Sequence, residues 1–122
     1  MLFRSKGAPS YALSLAAGHV VETQRADTQA DGMATRVPDS NALAIIRAGA
    51  EGIVTLDDDK IAAAIRAYWT DTHNLAEGAG AAALAAALQD RAGLAGKRVG
   101  LLLCGVNTDM ATFARHMEGP AA

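Results

Sequence analysis

Two glycine-containing turns hold most of the side chains in this chain that could do chemistry. One is Glu77-Gly78-Ala79-Gly80-Ala81, at the head of an alanine-rich run. The other is Cys104-Gly105-Val106-Asn107, between an apolar run and a second helix-forming segment. Glycine lets backbone come close to a bound group, and the helix N-terminus behind it favours an anion. Taken alone, each turn also has a steric explanation, because glycine at a helix start is more often a packing requirement than a ligand cradle. The Gly78 and Gly80 pair lacks the spacing of a dinucleotide fingerprint, which argues against nucleotide binding.

The remaining titratable groups form no obvious centre. Asp57-Asp58-Asp59 lacks the spaced oxygens and glycine turn of a calcium loop. One of the three is expected to cap a helix, with the others favoured by its dipole. His19, His73 and His116 show neither metal-ligand spacing nor a triad pattern. Lys60 and Lys97 fall on a helix and a turn, where solvated side chains are usual.

The elements that must position these groups are legible in part. Tyr11 to Ala17 reads as a short helix closed by Gly18, and His19 to Thr23 as a short strand. Gln24 to Ser40 is polar, broken by Gly32 and Pro38, and reads as a surface loop. Asp39 or Ser40 can cap a helix from about Ala42 to Ala50, and Ile53 to Leu56 follows as a strand. A helix from Asp58 to about His73 carries Ile61, Ile65, Tyr68, Trp69 and Thr72 on one stripe, the spacing of a face packed on a core. From Glu77 to about Arg91 the chain is almost all alanine, which predicts a helix packed closely on several sides. Arg98 to Cys104 reads as an apolar strand, and a last helix bears Met110, Phe113, Ala114 and Met117.

At 122 residues, 51% hydrophobic and 20% charged, the chain can bury one core and is not a disordered polymer. Eleven basic against thirteen acidic residues leave a net charge of −2, which removes the basic footprint of nucleic-acid binding. The longest apolar run, near Gly78 to Leu88, is well short of the ~20 residues that span a bilayer. A lone cysteine rules out an internal disulfide, and a soluble cytoplasmic protein is expected.

Alternating strands and helices imply an α/β architecture, a three-layer-like arrangement with a short, mostly parallel sheet and flanking helices. No linker divides the chain, so residues 1 to 122 are expected to form one unit. Val99 to Cys104 has no polar alternation and should be buried on both faces, as in a parallel sheet. Yet only two other strands are predicted, too few to satisfy a central strand. The chain therefore reads as part of a larger sheet.

The two turns also resemble segments of the threonine/serine dehydratases, fold-type II enzymes dependent on pyridoxal phosphate (PLP). Ala76 to Ala81 is similar to their Glu-x-x-Gly-Ala segment. Leu103 to Asp109 is similar to their strand-end signature, Ser/Cys-Gly-Gly-Asn followed by an aliphatic residue and Asp. Ala26-Asp27-Thr28, Ala30 to Ala34 and Arg36 to Asp39 match in the same order, so the likeness runs from about Gly7 to Phe113.

The resemblance covers about the C-terminal third of such an enzyme, without its catalytic lysine or its glycine-rich phosphate loop. It implies that Cys104 faces the pyridine nitrogen of the cofactor and that Gly105 and Asn107 shape the turn beside the ring. It further implies that Glu77 stands near the ring and that Gly80 and Ala81 leave room for it. No residue of this chain is expected to be catalytic, and Ser5-Lys6-Gly7-Ala8 echoes the lysine motif only by coincidence. Val106 departs from the signature's second glycine. Arg4 stands where an acidic ligand to a structural cation is expected, so no metal is expected. The function implied is the C-terminal part of a threonine/serine ammonia-lyase, inactive alone and completed by self-association or by a missing N-terminal portion. The rival reading is a non-catalytic α/β module for oligomerisation or partner binding.

Overall fold

The computed structural model describes residues 1 to 119. Its sheet has two parallel strands, β1 (Leu2–Ser5) and β2 (Ile53–Leu56), with Leu2 opposite Ile53 and Ser5 opposite Leu56. Between them run α1 (Ser10–Ala17), a single 3₁₀ turn at Asp31–Met33, and α2 (Ser40–Gly49). After β2 come α3 (Asp58–Thr72), α4 (Gly78–Gln89) and α5 (Met110–Met117). The α/β architecture and the short parallel sheet are as the sequence implies.

Local chemistry accounts for the helix limits. Gly18 closes α1 in the left-handed region, at φ 79°, where a side chain would be strained. Asp39, one of the two predicted caps, accepts a 2.8 Å hydrogen bond from the Ala42 N–H and starts α2 two residues before Ala42. The aspartate triplet divides its work differently from the expectation. Asp57 holds the N-cap position of α3 without a capping hydrogen bond and pairs with Lys6 at 2.7 Å instead. Asp58 becomes a junction: its Oδ1 accepts from the hydroxyls of Ser5 (2.9 Å) and Thr28 (2.7 Å), and its Oδ2 from the Gln29 N–H (2.6 Å). This one carboxylate joins the end of β1, the long loop and the start of α3.

The core lies between α3 and α4 and extends to the sheet. Leu56, Ala64, Ile65 and Ala81 are each 0% exposed, with Ile61, Ala82, Ala85, Met33 and Phe113 around them. Alanine on several sides of α4 lets it touch α3, both strands and the 3₁₀ turn, which is the close packing predicted for it. Trp69 is 44% exposed but sets its ring edge-on to Phe113 at 5.3 Å, tying α3 to α5.

Two expected strands are corrected, and one strand is found that the sequence did not announce. Leu2–Ser5, in a stretch that gave no periodic signal, is a strand, because four residues beside β2 suffice for a short ladder. His19 to Thr23 is not a strand. The Ser14 hydroxyl takes the Val21 N–H at 2.8 Å, and Thr23 N–H donates to the Arg36 carbonyl, so side chain and loop use the groups a ladder would need. Val99 to Cys104 is not a strand either. Among the described residues the sheet holds only β1 and β2, and this segment pairs with the open edge of neither.

Candidate functional site

The two glycine turns, almost thirty residues apart in sequence, meet in space. The Glu77 N–H donates to the Gly105 carbonyl at 3.1 Å. A Cβ added to Gly80 would collide with that same carbonyl oxygen and stand 3.0 Å from the Gly105 nitrogen. A Cβ added to Gly105 would in turn collide with the Glu77 carboxylate. Gly80 is therefore required by close approach of backbone, whereas at Gly105 the Glu77 side chain would have to swing aside. The backbone at Val106 also needs no glycine freedom, since His73 alone among the described non-glycine residues has a positive φ. The Val106 carbonyl accepts from Thr108 N–H at 2.9 Å in a tight turn, so this departure from the dehydratase signature is accommodated.

Beside this junction lies a cleft of about 800 Å³, lined by polar atoms from four parts of the chain. Thr28, Gln29 and Asp31 come from the loop that Asp58 pins, and Glu77 and Gly78 from the start of α4. Asn107, Thr108 and Asp109 come from the second turn, and Arg115 and His116 from α5. Hydrogen bonds from the Thr112 N–H and hydroxyl to Asp109 (2.8 and 2.9 Å) cap α5 and hold the Asp109 carboxyl below the ordinary aspartate range. His116 is 7% exposed, and its carbonyl accepts from Arg66 at 2.7 Å. Burial, then the nearby Arg115 and Arg66 charges, keeps the imidazole pKa below its usual value.

The six residues implied by the sequence divide by place. Glu77 and Asn107 line the cleft. Gly105 is the contact between the turns, and Cys104 is exposed at the end of the apolar run. Tyr68 of α3 is close enough for the Cys104 charge to raise its pKa further, after the larger effect of burial. Gly80 and Ala81, expected to leave room for the ring, do not line this cleft: the Gly105 carbonyl lies beside Gly80, and Ala81 is 0% exposed in the core. These two residues bring the turns together instead of lining the cleft. Arg4 lays its guanidinium 4.7 Å from the centre of the Tyr11 ring, a cation where a metal ligand would be acidic.

Sequence reasoning missed Asp109, Arg115 and His116 in the cleft lining, and Asp58 as the residue that pins its loop. Asp58 was hidden in a plausible capping triplet. A sharper signal existed at Asp109, which stands three residues before Thr112, the spacing of a side-chain cap. Nothing in the sequence marks His116 as buried.

Comparison with known proteins gives the family. The family model described as "Pyridoxal-phosphate dependent enzyme" matches residues 2–105. A phenylserine dehydratase of Ralstonia pickettii is 36% identical over 113 residues, 92% of this chain and 35% of that protein. An L-threonine ammonia-lyase of Geobacter sulfurreducens is 41% identical over 112 residues, 91% of this chain and 28% of its own length. The processed form of threonine deaminase isoform 2 from Solanum lycopersicum superposes with a TM-score of 0.86 at 30% identity, covering 95% of this chain and 34% of that structure. The chain thus spans about a third of the length of the relatives it matches.

Proposed function

Because the chain belongs to the family of pyridoxal-phosphate dependent enzymes, we propose that it forms the ring-side wall of a threonine/serine ammonia-lyase active site, the C-terminal part of such an enzyme. The observation that supports this best is the junction of the two signature turns, where the backbone at Gly105 lies so close to α4 that no β-carbon fits at Gly80, and the Glu77 side chain lies against Gly105. That contact holds Cys104 and Asn107 on one turn and Glu77 on the other in fixed relation, as a rigid wall for a flat ring requires.

On this reading three residues would meet one side of the cofactor. Cys104, exposed at the turn, would give a neutral hydrogen-bonding partner to the ring nitrogen. A neutral partner leaves that nitrogen largely unprotonated. Asn107 and Glu77 would border the ring and exclude water from its edge. When bound, PLP supplies the electron sink that labilises the substrate's α-proton, so that water and then ammonia leave a hydroxy amino acid. The lysine that moves protons, and the loop that holds the phosphate, are assigned to the portion of such an enzyme outside this chain. None of Lys6, Lys60 and Lys97 lines the cleft.

On this reading the chain acts with an upstream portion or with further copies, in the cytoplasm, on a small amino acid. No helix among the described residues is long and apolar enough to cross a membrane. The test joins the chain to the part of the G. sulfurreducens ammonia-lyase that it does not match, adds PLP, and follows 2-oxo acid release from threonine and from serine. The expected result is oxo acid with at least one of them. A well-folded, PLP-loaded hybrid with no oxo acid from either would sink the lyase reading and favour the non-catalytic module.

A further inference from the structure

The aspartate triplet at the head of α3 sets three carboxylates side by side, and the fold gives each different neighbours. Asp57 pairs with Lys6. Asp59 is exposed and makes no side-chain hydrogen bond among the described residues, which leaves it the dipole that any carboxylate in a first turn favours. Asp58 alone is met by three donors from outside its helix: the Ser5 and Thr28 hydroxyls at Oδ1 and the Gln29 N–H at Oδ2. The Ser5 side of this contact is firmly held. Ser5 is 1% exposed, and its Oγ also accepts from the Gly7 N–H at 3.1 Å. Gly7 in turn lies so close to the loop that an added Cβ would collide with the Asp27 carbonyl, and its own carbonyl accepts from the Asp27 N–H at 2.9 Å. On the loop side the Thr28 hydroxyl accepts from the Ala30 N–H at 3.1 Å, which carries the anchorage one step further. Beyond it the loop leans on the head of α4. A Cβ on Gly78 would stand 2.8 Å from the Ala30 Cα, and one on Gly32 would stand 2.9 Å from the Ala79 Cβ.

We propose that Asp58 is a positioning residue for the cleft: its carboxylate sets the course of residues 28–32, and so the place of Gln29 and Asp31 in the cleft that Glu77 and Asn107 also line. The Thr28 hydroxyl and the Gln29 N–H are spent on Asp58, whereas the side chains of Gln29 and Asp31 are exposed. An amide and a carboxylate are hydrogen-bond partners for the hydroxyl of a hydroxy amino acid. The ring-side contact, from the Glu77 N–H to the Gly105 carbonyl, does not pass through this loop. Asp58 therefore bears on substrate more than on cofactor. Only a carboxylate suits the three donors. Asparagine has one acceptor oxygen, and if the two hydroxyls keep it, the amide nitrogen faces the Gln29 N–H, donor against donor. The assignment to substrate rests on the lyase reading; the hold of Asp58 on the loop does not.

The test sets Asp58→Asn against Asp59→Asn, which removes the same first-turn charge but touches no loop donor. Amide exchange measured by NMR on the full chain should quicken about 10-fold or more at Gln29 and Ala30 in Asp58→Asn, and stay at the parent rate in Asp59→Asn. Nuclear Overhauser contacts between Gly32 and Ala79 should weaken in the first variant only. Asp58→Glu, which keeps both oxygens, should restore part of the protection. Thr28→Val should quicken Ala30 more than Gln29, because it removes the acceptor of the one and leaves that of the other. In the PLP-loaded hybrid with the unmatched part of the G. sulfurreducens enzyme, Asp58→Asn should raise KM for the hydroxy amino acid about 10-fold. There kcat and PLP affinity should stay within about 3-fold of the parent, whereas a merely structural loss would lower PLP affinity and the urea midpoint together. Parent-like exchange at Gln29 in Asp58→Asn would overturn the proposal. So would equal loosening in Asp59→Asn, or a loosened loop with an unchanged KM. Should Asp58→Asn fail to fold, parent-like exchange at Ala30 in Thr28→Val would overturn it instead. A PLP-loaded parent hybrid that makes no oxo acid would count against the lyase reading alone, and the exchange contrast between the two aspartates would still decide the role of Asp58.

Discussion

Cys104 and His116 carry two different kinds of residue-scale consequence. Cys104 makes no internal hydrogen bond and is exposed at the turn, so its replacement should cost the isolated fold little. In the completed enzyme, Cys104→Ala should weaken cofactor binding by about 0.5–1.5 kcal/mol, one hydrogen bond's net worth, and Cys104→Ser should keep it. Titration of PLP absorbance checks both. His116 acts on stability instead. Its pKa in the folded chain lies below the unfolded value of 6.5, because burial and two arginines disfavour the imidazolium. The stability it contributes is therefore fully present above pH 6.5 and is lost as pH falls from there through the lower folded pKa. Urea midpoints should drop over that window, and His116→Gln should flatten the drop. Asp109 is shifted in the same direction by its Thr112 hydrogen bonds, but its effect begins only as pH falls below 3.8. The two windows do not overlap at their upper ends, so a slope beginning near neutrality belongs to the histidine.

Among the elements, α4 is the one the site depends on. Its alanines let it lie close to α3 and the sheet, and Gly80 lets its first turn touch the Gly105 carbonyl. Gly80→Ala would force that carbonyl away and strain the Glu77–Gly105 hydrogen bond. It should destabilise the chain by about 1–3 kcal/mol, the usual cost of overpacking. Gly100→Ala, where an added Cβ meets nothing within 4 Å, should stay within about 0.5 kcal/mol of the parent. Urea unfolding of both variants checks the contrast. A Gly80→Ala chain as stable as the parent would mean that the two turns separate freely, and the rigid-wall reading of the site would go with it.

For the whole molecule, the governing fact is the mismatch between its chemistry and its extent. On the proposed reading it supplies one wall of an active site, and none of its three lysines lines the cleft. Lys6 is held by Asp57 at 2.7 Å, Lys60 projects from α3, and Lys97 is exposed beyond α4. The purified chain with added PLP should therefore release no 2-oxo acid from threonine or serine above a blank. Any activity that survives mass-spectrometric exclusion of contaminants would contradict this.

Much of this was legible in residues 40 to 91, where helix period, capping aspartate and alanine content are local properties that short-range geometry enforces. α2, β2, α3 and α4 all lie within a few residues of their predicted limits. The family was also legible in the two turns, because their residue types and order carry the likeness. Tertiary structure alone decided the rest, for reasons that are not local. A strand exists only if another backbone completes its ladder, so the modest Leu2–Ser5 became β1 beside β2, while the far more apolar Val99 to Cys104 did not form a strand. A carboxylate's role likewise depends on what comes near it: Asp58 reads as one acid among three until Ser5, Thr28 and Gln29 arrive from distant positions. Apolarity can be read from sequence, whereas the partner of each hydrogen-bonding group is fixed only when the chain closes on itself.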